Sequence, residues 1–411
     1  MTHIAVLGAG ITGVNTAYVL AKLGYQVTVL DRQRYPAMET SFANGGQLSA
    51  SNAEVWNNGG TLLKGLKWML RNDAPLLLNP KPSWHKYSWL AEFTGNLRHY
   101  KHNTTETTRL AIAAREHLFE IATAENIDFN LEKRGILHIY YDQPSFDAAT
   151  KANALMVDGG LERHAVTAEE IRNIEPTLRG SYHAGFFTPS DSTGDIHKFT
   201  RGLAQACERL GVSFLTQAVI EQVSAEGKGV KIEWSVSGQT GAAPEQLHAD
   251  GVVVCAGVGS RAIAGMLGDR INIYPVKGYS ITVNLDDELS QSNAPYVSLL
   301  DERAKIVTSR LGKDRFRVAG TAEFNGANRD IRHDRITPLI EWTHRNFDIN
   351  TARTIPWAGL RPMTPSMMPR VGPGKRPGVF YNTGHGHLGW TMSAATAELT
   401  GQAVAARLPL A

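Results

Sequence analysis

The sequence predicts an α/β protein of two domains, one built on a parallel sheet and the other an α+β unit on a mixed or antiparallel sheet. Three observations predict it. The chain opens with an apolar strand, a glycine-spaced turn, a helix and a second strand, and it closes with a strand, a glycine-rich turn and a helix. Between these ends lie segments with strand-like alternation, spaced as a separate sheet would need.

The bulk properties agree. With 411 residues, 42% hydrophobic and 20% charged, the chain is long enough to give both domains a core. Basic residues exceed acidic ones by three, and no basic run carries interleaved aromatics, so nucleic acid is not an expected partner. Cys207 and Cys255 are too few and too distant in sequence for a disulfide framework or a cysteine-based zinc site. A reducing, cytoplasmic setting is expected. A first strand beginning at Thr2 or His3 leaves no room for a cleaved signal, and no apolar run reaches the roughly 18 residues of a membrane span, so neither export nor spanning is expected.

The opening stretch, THIAVLGAGITGVNTAYVLAKLGYQVTVLDR, places Gly8, Gly10 and Gly13 between strand and helix and ends the second strand at Asp31. This is the Rossmann-like dinucleotide fingerprint in its required context. Gly8 allows a sharp turn, Gly10 allows backbone to approach a pyrophosphate, and Gly13 allows helix and strand to pack closely. The helix N-terminus stabilises phosphate charge, and Asp31 can accept hydrogen bonds from a ribose. Ala9, Ile11, Thr12 and Arg32 complete the predicted cofactor-facing run; Ala17, Leu20 and Leu23 stand on one face of the helix. The motif alone does not separate NAD from FAD.

The closing stretch, GVFYNTGHGHLGWTMSAATAELTGQAVAARL, predicts a strand over 379–382 and a helix from about Trp390 that buries Met392, Ala395, Leu399 and Val404. A second helix N-terminus aimed at a ligand is of no use to a cationic nicotinamide but suits a flavin, which becomes anionic when reduced. That favours FAD. His385 and His387 invite a zinc reading. They stand two apart without an acidic or cysteine neighbour, and a zinc site needs three or four ligands, so no metal is expected.

A third parallel-sheet piece is read from a helix over 197–209, a strand over 210–214 and the apolar strand 252–255, which runs into a turn at Gly257. Strand-like segments at 134–141, 182–189, 277–284, 304–310 and 316–320 build the second sheet. The division that follows assigns 1–80, 195–272 and 355–411 to a discontinuous FAD-binding domain. It assigns 81–194 and 273–354 to a substrate-binding domain.

Five segments in this order, TSFANGGQLS, STGDIHKFT, YPVKGYSIT, WAGLRPMTP and NTGHGHLGWTM, resemble the D-amino acid dehydrogenase family, within the wider group of D-amino acid, glycine and sarcosine oxidases. The resemblance covers nearly the whole chain. It implies non-covalent FAD and oxidative deamination of D-amino acids to 2-oxo acids and ammonia, by hydride transfer from the alpha carbon to flavin N5. It also implies electrons passed to a quinone or another carrier. By the same resemblance Ser41, Asn44, Gly45, Gly46, Gln47 and Leu48 lie along the cofactor, as do Gly384, His385, Gly386, His387, Leu388, Gly389, Trp390 and Thr391.

The chemistry needs a handle on the substrate carboxylate, and a guanidinium grips one through two parallel hydrogen bonds. Arg361 is the expected clamp, with Tyr279, Asn52, Gln47 and His387 as further substrate-side residues; no catalytic base is nominated. Asn52 and Ala304 stand where D-alanine-preferring members carry aromatics, so a larger or more polar substrate is expected, such as a cyclic imino acid. The run over 62–78 reads as a helix packed on the substrate domain, with a peripheral membrane contact as the alternative. The competing functions are an oxygen-using oxidase of glycine, sarcosine or a cyclic imino acid on the same fold, and a flavoprotein subunit active only in a complex.

Overall fold

The computed structural model describes residues 1–60, 76–227, 229–239 and 243–410. Among these, six strands form one sheet in the order Arg370–Pro373, Val379–Thr383, Gly251–Val254, His3–Leu7, Gln26–Leu30 and Ser213–Leu215. All neighbours are parallel except the edge strand Arg370–Pro373. The strand His3–Leu7 is central, and its alternation splits two cores. Ile4 and Val6 pack with the helices Ile11–Lys22, Ile196–Arg209 and Gly389–Ala405, while Ala5 and Leu7 pack on the opposite face. A sheet apolar on both faces must be covered on both.

The opposite face is covered by an antiparallel meander, Ala218–Glu226, Gly229–Val236 and Glu245–Ala249, which contributes Val223, Val230, Ile232 and Trp234. The sequence reading does not anticipate it. Polar residues dominate its outer face, and its inner one presents few apolar side chains per strand.

The second sheet runs in the order Thr354–Met363, Tyr274–Asn284, Arg315–Phe324, Ile306–Arg310, Ser298–Asp301, Ile136–Tyr140, Ala184–Thr188 and His164–Thr167. It is mixed: Ser298–Asp301 and Ile136–Tyr140 are parallel, the other neighbours antiparallel. The helix His333–Asn346 backs it with Ile336, Leu339 and Trp342.

Several boundaries differ from expectation. The strand Thr354–Met363 pairs along its length with Tyr274–Asn284, so the segment from 355 joins the second sheet before the chain returns to the first. Leu76–Leu78 likewise pairs with Arg315–Phe324 rather than belonging to the first domain. The helix Tyr100–Ala124, assigned to the substrate side, packs Leu118, Ile121 and Ala122 into the core of the cofactor side. Gly211 adopts φ +87, and this turn delays the predicted strand at 210 to Ser213. Leu399, read as buried, is exposed, because it lies beyond the stripe its helix presents to the core. The predicted amphipathic run lies, from 62 to 75, outside the described residues.

Candidate active site

A cavity of about 560 Å³ runs from the N-terminal glycine turn, across the ends of the parallel strands, to the face of the second sheet. Ligands bind at this position in open α/β sheets. At one end the cradle is made of backbone. Gly8 has φ +112, and a Cβ there would lie 2.6 Å from the Cys255 carbonyl oxygen. A Cβ on Gly13 would overlap the Gly8 carbonyl, whereas Gly10 faces open space, the Ser41 hydroxyl alone lying within 4 Å at 3.5 Å. Gly13 therefore closes the helix onto the turn, while Gly10 leaves room for a ligand.

Asp31 lines the cavity, and its carboxylate accepts from the Ala9 amide at 2.6 Å and the Gln33 amide at 2.7 Å. Burial pushes its pKa up against these two hydrogen bonds. It thus fixes the turn as well as facing the cavity, and a carboxylate oxygen has a second lone pair for a ribose. Ala9 and Gly13 do not line the cavity, nor does Leu48, which is fully buried core; Ala9 spends its amide on Asp31. Cys255 also lines the cavity, and burial raises its thiol pKa to about 12.

The loop over 40–47 shows how the second sheet prepares the site. The carbonyls of Ala43, Asn44 and Gly45 accept from Ser280 Oγ at 2.7 Å, Arg317 Nη1 at 2.9 Å and Ser309 Oγ at 2.6 Å. With these three carbonyls tied to the second sheet, the Asn44 and Gly45 amides have no acceptor among the described residues. Amides without an acceptor on a cavity wall are donors available to a ligand. Gly384 and Gly386, at φ +77 and +59, turn the chain along the same wall into the helix Gly389–Ala405.

Of the expected cofactor residues, Gly8, Gly10, Ile11, Thr12, Asp31, Arg32, Ser41, Asn44, Gly45, Gly46, Gln47, Gly257 and the run Gly384–Thr391 all line the one cavity. Residues more than three hundred positions apart are brought together. Glu39, Ala256, Val258, Trp56, Glu302 and Lys305 also line it and were not anticipated, since none stands in a glycine-spaced motif.

At the other end the wall is made of side chains. Arg361 projects over Gly278, where a Cβ would come within 2.5 Å of the guanidinium carbon. Its Nη1 donates to the Thr321 carbonyl at 2.9 Å, and no carboxylate pairs with it among the described residues. Burial lowers its pKa to about 10, which leaves it charged. Thr321 itself sits at φ +60, an uncommon conformation for a β-branched residue, beside a bulge in the strand pairing. His387 Nε2 lies 3.2 Å from the Asn52 carbonyl and its ring stacks on Trp56 at 5.1 Å; burial lowers its pKa to about 4, so it is neutral. His385 meets the Thr396 hydroxyl at 3.0 Å and is held neutral in the same way. Among the described residues no group of three or more His, Cys, Asp or Glu is placed to hold a metal ion.

Two expected substrate contacts are placed differently from their reading. The Tyr279 ring lines the cavity, but its hydroxyl donates to Glu323 at 2.8 Å inside a buried cluster with Lys277. The Gln47 side chain donates to Ser298 Oγ at 2.7 Å and to the Leu299 carbonyl, tying the cofactor loop to the second sheet. Asn52 lines the cavity; Ala304 does not, and packs on the second core instead.

A family model described as DAO, FAD dependent oxidoreductase, matches residues 3–403. The chain belongs to this family of FAD-dependent oxidoreductases. The glycine cradle and the open amides of the 40–47 loop fit that cofactor, offering donors and close backbone approach along one continuous wall. Among relatives, D-amino acid dehydrogenase 3 of Mesorhizobium japonicum is 61% identical over 411 residues, covering 100% of this chain and 98% of that protein. D-amino acid dehydrogenase of Dechloromonas aromatica is 39% identical over 418 residues, covering 99% and 98%. Glycine oxidase from Geobacillus kaustophilus superposes with a TM-score of 0.74 at 16% identity, covering 99% of this chain and 96% of its own. L-proline dehydrogenase from P. horikoshii gives 0.74 at 15%, covering 99% and 95%. These structures share the DAO fold.

Proposed function

We propose that this chain oxidises D-amino acids to imino acids, which water converts to 2-oxo acids and ammonia, and that its electrons leave to a quinone or another carrier. The observation that carries the reading is Arg361: a half-buried guanidinium, without a carboxylate partner among the described residues, on the wall of the FAD-family cavity. Leaving such a cation unpaired is costly unless a ligand supplies the anion. The relatives named D-amino acid dehydrogenase support the substrate class and its handedness.

Bound FAD supplies the two-electron acceptor. The chain's own residues hold the substrate. Arg361 spends one Nη1 hydrogen bond on Thr321 and keeps its remaining donors for the carboxylate. The absence of a side chain at Gly278 lets the guanidinium lie against the strand and fixes its plane. His387, neutral and stacked on Trp56, closes the wall without adding a second charge near the substrate ammonium. The small side chain of Asn52, with no aromatic there, leaves room for substrates larger or more polar than D-alanine, a cyclic imino acid among them.

No helix among the described residues is long and apolar enough to cross a membrane. In this reading, transfer to a membrane quinone is made by a cytoplasmic protein that touches the inner face of the membrane. The deciding experiment is the absorption spectrum of the purified protein followed by anaerobic titration with D- and L-amino acids. Bleaching of a flavin spectrum by D but not L isomers is expected; bleaching by neither, or by L isomers alone, overturns the reading.

A further inference from the structure

At the substrate end, two strands leave their ladder together. Ile306 and Gly320 form its last pair, and the next residues along, Lys305 and Thr321, both adopt left-handed backbone, φ +55 and +60. Non-glycine residues held there cost stability and cluster at functional sites. The Thr321 carbonyl receives Arg361; Lys305 carries an ammonium that pairs with Glu302 at the same place.

Lys305 and Glu302 both line the cavity, with 46% and 29% of their side-chain surfaces open. Among the described residues the Lys305 ammonium donates to Glu302, which leaves donors over. Glu302 is held from behind: its Oε1 lies 3.6 Å from His138 Nδ1, and His138 Nε2 meets Ser51 Oγ at 2.9 Å. Burial opposes the charge of Glu302, but Lys305 and His138 hold its pKa well below the carboxylate range. Against the same burial, Glu302 keeps Lys305 protonated. The pair is therefore a fixed donor beside a fixed acceptor, poorly suited to moving a proton and well suited to binding.

Resting on the substrate class proposed above, we infer that Lys305 and Glu302 form a second subsite, which binds a hydroxyl on the side chain of the amino acid. A hydroxyl accepts from the ammonium and donates to the carboxylate at once, satisfying both without separating them. An acidic side chain would be repelled by Glu302, and a basic one by Lys305. An alkyl side chain would leave both partners desolvated and short of hydrogen bonds.

The test uses the FAD-loaded chain and matched D-amino acids: serine against alanine, threonine against 2-aminobutyrate, and proline with and without a ring hydroxyl. kcat/KM for each pair is read as a ratio, so that a general loss of activity cancels. In the wild type the hydroxylated members are favoured by roughly tenfold or more, mostly through KM. In Lys305→Met, Glu302→Gln and the double variant the ratio collapses toward unity; the double variant removes both charges, so that neither ion is left without its partner. Flavin content and Tm report on folding in each. A wild-type preference for the unhydroxylated members, for D-aspartate or for D-lysine overturns the subsite. So does a ratio that persists in Glu302→Gln and the double variant. If no D-amino acid bleaches the flavin, the substrate reading itself fails, and the subsite with it.

Discussion

The two ends of the cavity are built by different means. The cofactor end is shaped by backbone: Gly8 and Gly13 set the turn, Asp31 holds it through two amides, and the carbonyls of the 40–47 loop are tied so that amides remain open. The substrate end is shaped by cavity-lining side chains, Arg361, Lys305, Glu302 and neutral histidines, on backbone that is itself held in uncommon conformations. A shared cofactor is recognised through groups every residue has, and a particular substrate through groups few have. Damage at the two ends should accordingly separate into loss of flavin and loss of turnover.

The largest separation is expected at Arg361. In Arg361→Met, kcat/KM for D-amino acids falls by roughly 10³-fold, the loss of two charge-assisted hydrogen bonds, while flavin content stays at the wild-type level. Loss of flavin in parallel would erase the distinction between the ends.

Acid should strike the substrate end next. Burial lowers His138 and His387 to about 4 and His385 to about 3, from an ordinary value near 6.5. Below pH 6.5 the unfolded chain binds protons that the folded chain refuses, so stability is full above that pH and is lost as pH falls toward 4. Each histidine contributes up to about 1.4 kcal/mol per pH unit in that window. Urea midpoints of the FAD-loaded protein between pH 7 and 4 should show the fall, and His385→Gln should make it shallower.

At the cofactor end, Gly13→Ala forces the helix away from the Gly8 carbonyl, with an expected cost of about 2–3 kcal/mol. The flavin-to-protein ratio should drop, and the residual holoenzyme should keep its KM. Smallest and opposite in sign is Thr321→Gly, which relieves φ +60 and should raise stability by about 1 kcal/mol, read as a higher Tm. An unchanged or lower Tm would mean that the left-handed conformation is not strained.

This contrast also explains what was legible in the sequence. Gly8, Gly10, Gly13 and Asp31 announce themselves because the backbone geometry they serve demands fixed spacings. The parallel strands were readable because burial on both faces demands unbroken apolar runs. The placement of Arg361 over Gly278 and of Lys305 opposite Thr321 depends on strand register across the second sheet, which local pattern does not encode. The same holds for Tyr279, whose hydroxyl is committed to Glu323 on the neighbouring strand. Glu302 and Lys305 escaped notice because a charged pair in a turn has the composition of any solvated loop.

The position of the closing segment has a consequence for biosynthesis. The strand Val379–Thr383 and the helix Gly389–Ala405 complete a sheet and a core begun by the first thirty residues, through contacts such as Asn382 to Thr16 and Ser393 to Asn15. During translation the glycine cradle emerges well before its far wall. A chain cut short before residue 379 would present the fingerprint without the pocket.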